Sequence, residues 1–377
     1  MNQPQLYLWR RFVRPYAQSE VGGSQTGRSQ QFLEIITRMK SSLLFALLGL
    51  LVVALWTASL AYGTVPISPM DVVRILLGKS SDPVAWSTIV LESRLPQATT
   101  ALLVGASLAA AGLLLQTLFR NPLAGPSILG ISDGANLGVA IVMLFFGGTI
   151  GLTTGGAAVG GSLALILAAF AGACSILALI IYFSTRVRGN VMLLILGIMV
   201  GYIASSLISL LNFYASADRI RGYVMWGMGD FSSVSNTRLP FFALCTLGGL
   251  IAALLLVKPL NALLLGERYA TNLGVKIRRT RVLILLCTGL LTATATAFCG
   301  PVSFIGLAVP HVARLTLGRA DHRMLLPVTM LLGSAMALLC NLLTVIPGTG
   351  TVFPLNAVTP IFGAPVIIYV ILRRRGI

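Results

Sequence analysis

The sequence predicts an all-α, polytopic membrane protein, and three observations carry that prediction. Hydrophobic residues make up 56% of the 377-residue chain and charged residues only 10%, whereas a soluble domain carries about 25% charged residues. Mean hydropathy is +0.91. Apolar runs close to the length of about 20 residues that crosses a bilayer recur along the chain, separated by short basic connections.

Taken in order, residues 1–40 are polar and basic, with a Gly22-Gly23-Ser24 break. They are expected to form a cytoplasmic arm ahead of an uncleaved first span, because a signal peptide would place its apolar stretch nearer the start. Residues 41–377 then form one ten-span domain. The first span is expected at about 41–62, followed by a loop with a short amphipathic piece at Pro69 to Leu77. Further spans are expected near 95–118, 127–147, 158–184, 191–214, 239–257, 281–299, 302–318, 324–346 and 354–372.

The stretch from Arg94 to Asn136 organises the chain. Gln97 to Phe119 is one membrane-length helix, and Arg120-Asn121-Pro122 ends it, since proline lacks a donor and turns Asn121 away from helix. Gly125-Pro126 breaks the chain again. Gly130, Gly134 and Gly138 then fall four apart and allow close helix approach. Backbone broken at membrane depth survives only against protein or a water-filled cavity. A faint echo, Gly300-Pro301 to Gly306, opens a second interrupted segment in the other half, as in repeat-built transporters.

Charge sets the orientation. The formal charge of +17 does not mark a nucleic-acid binder, because the basic residues lie between apolar runs and leave no soluble basic groove. With both termini cytoplasmic, only Arg74, Lys79, Arg94, Arg219, Arg221 and Arg238 fall outside, which leaves 21 of the 27 Lys and Arg inside.

Catalytic chemistry is scarce. Leu77-Gly78-Lys79-Ser80 ends like a phosphate-binding loop, but Val73 stands where the upstream glycine is needed. There is no zinc-protease or serine-hydrolase motif, and five scattered cysteines without a C-x-x-C pair suggest neither disulfides nor zinc. Asp133 is the one acid well inside a span. It reads either as a functional carboxylate or, being near a helix start, as a cap on free amides.

Two later stretches are informative. Residues 264–276 form a polar cytoplasmic loop in which Ala270 and Leu273 share a helix face between Gly266 and Gly274. Composition alone fits a docking knob and a solvated loop equally. In Gly300 to Arg314, Pro310 breaks the helical ladder, and His311 reads as a partner for freed carbonyls or as a proton relay.

Together these motifs resemble the permease subunits of the iron-siderophore, haem and vitamin B12 family of ABC importers. The resemblance runs from Arg94 to Arg375. It rests on RLP (94–96), Gln116 with Arg120-Asn121-Pro122-Leu123-Ala124, LGISDGA (129–135), LGERYATNLGV (265–275), GPVSFIGLAVPHVARLTLG (300–318) and FGAP (362–365). It implies a type II importer fold and a homodimer with its path on the dimer axis. It also implies two cytoplasmic ATPase subunits and a binding protein that delivers the ligand. This subunit then binds no cofactor and catalyses nothing; ATP and Mg are used by its partners.

Residue by residue, the resemblance makes Gly266, Glu267, Ala270, Leu273 and Gly274 the ATPase-coupling loop and Gly189, Asn190 and Val191 the cytoplasmic gate. Arg94, Arg219 and Arg221 would receive the binding protein. Gln116, Arg120, Asn121, Pro122, Gly130, Gly134, Gly300, Pro301, Gly306, Pro310 and His311 would be structural or pathway positions. The sequence departs from relatives at Gln97, where arginine is common, and at Asn341 and Val345, where relatives tend to carry aspartate and arginine. It departs again at Val352, Pro354 and Asn356, in place of Glu…Pro-x-Gly. The expected function is import of an iron siderophore, with haem or cobalamin next. The alternative from another class is a proton- or sodium-coupled transporter.

Overall fold

The computed structural model describes residues 26–79, 84–147, 159–187, 190–346 and 351–375. Almost all of them are helical. The helices are α1 (Thr26–Ala61), α2 (Pro69–Leu76), α3 (Ala85–Phe119, π-helical over Ile89–Arg94), α4 (Ile131–Ala140, continuing as a π-helix over Ile141–Phe145), α5 (Val159–Arg186) and α6 (Asn190–Tyr214). They continue as α7 (Ala217–Gly227), α8 (Leu239–Leu255), α9 (Val257–Leu265), α10 (Glu267–Asn272), α11 (Ile277–Cys299), α12 (Ile305–Leu317), α13 (His322–Thr344) and α14 (Leu355–Arg375).

Six of these helices are long and apolar enough to cross a membrane, and α8 with α9 makes a seventh crossing bent by 47°. Three shorter apolar segments, Ile131–Phe145, Ile305–Leu317 and Leu355–Tyr369, bring the apolar passes to the ten expected. One boundary differs: α1 begins at Thr26, inside the expected arm, because nothing between Arg28 and Lys40 breaks a helix.

The bundle is built around α3. Its apolar window is 94% buried within the protein, against 22% for α1 and for α6, which present apolar faces outward. Lipid supplies no hydrophobic force between helices, so close approach at small residues carries the packing. A side chain at Gly105 would overlap the Gly333 carbonyl of α13, and one at Gly112 would overlap the Gly306 carbonyl of α12. Pro310, four residues on, has no N–H to offer that Gly306 oxygen.

The two Gly-Pro breaks lie side by side. A Cβ at Gly306 would sit 2.9 Å from Pro126 Cδ and 2.8 Å from Leu108 O of α3. Gly134 packs against Gly172 of α5, and Gly138 against Ala168, so both glycines of α4 serve one close contact. Gly130 does something else. It ends the 3-10 turn Pro126–Leu129 in the left-handed conformation (φ 74°) and faces Gly197 and Gly201 of α6.

The amide cap expected from Asp133 is not formed: Gly130 occupies the N-cap, with no side-chain hydrogen bond to the first turn. A Cβ at Gly201 would sit 2.6 Å from Asp133 Oδ2, so the carboxylate lies against α6 at a residue without a side chain. Burial, and then the Asp133 carboxylate, push the Tyr223 hydroxyl of α7 up to about 12.

Candidate functional site

The basic end of the bundle carries the most elaborate polar construction. After α9, Gly266 (φ 117°) turns the chain sharply into α10, a helix of six residues. Gly274 (φ 82°) closes α10, with Val275 N–H donating to Ala270 O and Gly274 N–H to Thr271 O. That is a Schellman end, and it fixes the loop as a rigid knob.

The knob divides differently from expectation. Ala270 is fully buried and is part of the inner packing, whereas Leu273 is 64% and Tyr269 65% exposed. The expectation that Ala270 and Leu273 present one face together is therefore corrected. Leu273 occupies the helix end rather than its second turn, and its side chain swings outward. Exposed Leu264 and Leu265 extend the apolar patch made by Tyr269 and Leu273, and sequence reasoning missed all but Leu273.

Two arginines tie the knob to the bundle. Arg281 of α11 donates to Glu267 Oε1 at 3.2 Å and to Ser184 O at 3.4 Å, joining α10 to the last turns of α5. Arg120, left-handed (φ 50°) at the end of α3, donates to Leu263 O at 3.0 Å. The same carbonyl accepts from the Gly266 N–H at 3.1 Å, so Arg120 adds a second bond at the end of α9.

The corner below α3 is held from α12. Gln116 Nε2 donates to Leu307 O at 3.1 Å while its Oε1 accepts from Arg314 Nη1 at 2.5 Å. His311 Nε2 pairs with Pro122 O at 2.7 Å. His311 thus bonds a carbonyl beside a proline, though the proline is that of the corner rather than its own neighbour. Asn121 accepts from Leu123 N–H in a tight turn.

At the opposite end, Arg94 is only 6% exposed. It donates to Leu60 O at 2.9 Å, to Ala61 O at 2.8 Å and to Val65 O, closing the end of α1. The Arg94 guanidinium is thus engaged by backbone carbonyls at the end of α1. Arg219 donates to Leu144 O at 3.2 Å and Phe145 O at 3.4 Å, capping the π-helical end of α4 while remaining exposed. Arg221 is exposed on α7.

Three of the sequence departures take part in local bonds. Gln97 Nε2 donates to Asn341 Oδ1 at 3.0 Å, so two of the positions where charge is common in relatives form one neutral pair. Asn356 donates to Gly227 O and Pro301 O and accepts from Ser303 N–H, stapling the segment after Gly300 to α7 and α14. A cleft of about 600 Å³ opens beside this staple, lined by Tyr62, Gln97, Trp226, Asp230, Asn341 and Phe353 among others. Within the FGAP motif, Gly363 admits Phe304, a left-handed residue (φ 66°) whose Cβ would lie 2.5 Å from an added side chain.

Of the expected gate, Gly189 lies outside the described residues. Asn190 begins α6, and Val191 is 70% exposed.

Comparison with known proteins decides the family. The pattern of the FecCD transport family matches residues 50–373. The chain belongs to the FecCD transport family. Its curated relatives include the vitamin B12 import system permease protein BtuC of Klebsiella pneumoniae, 35% identical over 76% of this chain and 83% of the relative. The BtuC of Salmonella typhi is 34% identical over 86% of this chain and 94% of the relative. Among solved structures, an inward-facing metal-chelate type ABC transporter superposes with a TM-score of 0.73 at 29% identity, covering 88% of this chain and 99% of that one. This FecCD-family chain is an ABC importer permease and a multi-pass inner-membrane protein.

Proposed function

We propose that this FecCD-family permease works as a homodimer importing a bulky metal chelate. Partner ATPases seated on the 264–276 knob would drive it, and an external protein would deliver the chelate. The observation that carries this reading is the knob itself. A rigid, two-glycine element exposes Tyr269 and Leu273 at the basic end while Ala270, Arg120 and Arg281 anchor it to the bundle. An exposed apolar patch on a rigid support is what a docking partner requires. The basic end is the cytoplasmic side in this reading, by the excess of Lys and Arg there.

Cobalamin is the first ligand to test, because the relatives named above are vitamin B12 import permeases. An iron siderophore, expected first from the motifs, stands second, and the likeness to a metal-chelate transporter supports both. Of the three arginines expected to receive the delivering protein, Arg221 is the exposed one left once Arg94 and Arg219 are spent on carbonyls.

The test is uptake into cells that lack their own importers and express this permease with its ATPase and binding protein. Labelled cyanocobalamin and labelled iron siderophores are supplied in parallel. Accumulation of one chelate, abolished by excess of the same unlabelled chelate, is expected. Accumulation of neither, with the complex assembled in the membrane, would overturn the ligand class.

A further inference from the structure

We infer that Asn261, His322 and Thr117 form a mechanical relay that carries displacement of the coupling knob to the cytoplasmic end of α3. The inference rests on the proposed seating of an ATPase on the knob and adds the route by which that seat moves the bundle.

The three residues come from α9, α13 and α3, far apart in sequence, and meet behind the knob. Asn261 Oδ1 accepts from the His322 backbone N–H at 2.8 Å and lies 2.9 Å from His322 Nδ1. Because an amide oxygen only accepts, Nδ1 carries the proton. Asn261 Nδ2 donates to Asp321 Oδ1 at 2.6 Å, which fixes the amide's orientation. On the far side of the ring, His322 Nε2 lies 2.8 Å from Thr117 Oγ1. With Nδ1 protonated, Nε2 is the acceptor, so the one Thr117 hydroxyl proton is donated to the ring, and Leu113 O lies 2.9 Å from the same oxygen as the alternative acceptor.

His322 is 1% and Thr117 5% exposed, so the link runs through protein rather than solvent. A buried imidazole bonded at both nitrogens cannot rotate without breaking a bond, so it acts as a strut. The strut joins α9 five residues before the knob's first glycine to α3 three residues before Arg120. Arg120 in turn reaches back to Leu263 O, so α9 grips the end of α3 at two points. A pull on the knob then moves the corner Asn121-Pro122-Leu123 together with α9, instead of bending the loop alone.

Thr117→Val removes the hydroxyl with little change of shape, and Thr117→Ser keeps it. The experiment uses the assembled permease–ATPase complex carrying Leu123→Cys, a position 43% exposed at the corner. Maleimide labelling is measured without nucleotide and after trapping with ATP and vanadate, normalised to complex without the added cysteine. The nucleotide-dependent change in labelling rate should fall by about fivefold in Thr117→Val, the factor one hydrogen bond is worth in an equilibrium. Thr117→Ser should restore it. Asn261→Ala should give the same loss, and the double variant no more than either alone.

Melting temperature should fall only slightly, as for a lost buried hydrogen bond, and ATPase retention should match the unsubstituted complex; the nucleotide-dependent response of the corner is the readout a merely structural contact would not move. A Thr117→Val corner that responds like the parent, or a parent corner that does not respond to trapping, would overturn the relay. Failure of the parent permease to hold an ATPase at all would instead count against the function proposed above.

Discussion

Leu273→Asp should abolish ATPase capture while leaving the permease folded. The side chain is 64% exposed, so in the free protein the carboxylate stays in water and the fold loses nothing. In the docked state it would be buried without a partner, and truncating or charging a central contact of this kind costs about 2 kcal/mol or more. Affinity for the ATPase should fall by about 30-fold or more. Co-purification in mild detergent, with bound proteins identified by mass spectrometry, reads this directly. Tyr269→Asp should do the same, whereas the buried Ala270 should act through folding: a carboxylate there would lower the yield of intact permease. Equal ATPase recovery by parent and Leu273→Asp would show that the knob is not the seat.

Gly112→Val should be the most damaging single change to the bundle. The added side chain would overlap the Gly306 carbonyl, which is backbone and cannot swing aside. Separating α3 from α12 would also disturb the contacts of Gln116 with Leu307 and Arg314 one turn further along. Overpacking of this kind costs about 3 kcal/mol or more, enough to consume a large part of a typical domain's stability. A thermal melt in detergent should shift sharply down, with much of the protein lost to aggregation. Gly248→Ala is the control. Nothing lies within 4 Å of its added carbon on α8, so it should be neutral or slightly stabilising through helix propensity. A Gly112→Val protein that melts like the parent would mean that α3 and α12 do not meet at these residues.

Much of this architecture was legible in the sequence, for physical reasons that also define where legibility ended. The spans could be read because a membrane demands apolar runs of fixed length, and the breaks because Pro122 and Pro126 lack a donor, whereas Pro310 sits inside the unbroken α12. The knob could be placed by Gly266 and Gly274, whose left-handed conformations are costly for other residues. Which face of the knob pointed outward could not be read. Over a helix of six residues, a spacing of three does not keep Ala270 and Leu273 on one side once Leu273 becomes the terminus.

Arginines misled in the same way. Arg94 and Arg219 look like surface charges in a sequence, but each spends its guanidinium on the carbonyls that a helix end leaves open. Asp133 misled in the opposite direction, since a left-handed glycine took the place of the side-chain cap. The relay of Thr117, Asn261 and His322 left no local signal at all, because its members lie on three separate helices and only the packing brings them together. The pairing of Gln97 with Asn341 is similar. Each looked like an isolated departure, and their hydrogen bond shows the two positions to be one unit.

The central claim is that ATP hydrolysed by a partner at the basic end, not an ion gradient, drives import. The measurement that tests it most directly is chelate uptake by the complete transporter in proteoliposomes, with ATP supplied to one side only and an ionophore present. The account predicts accumulation that requires ATP on the side of the 264–276 knob and that persists when proton and sodium gradients are collapsed. Uptake that proceeds without ATP and stops when those gradients are dissipated would contradict it.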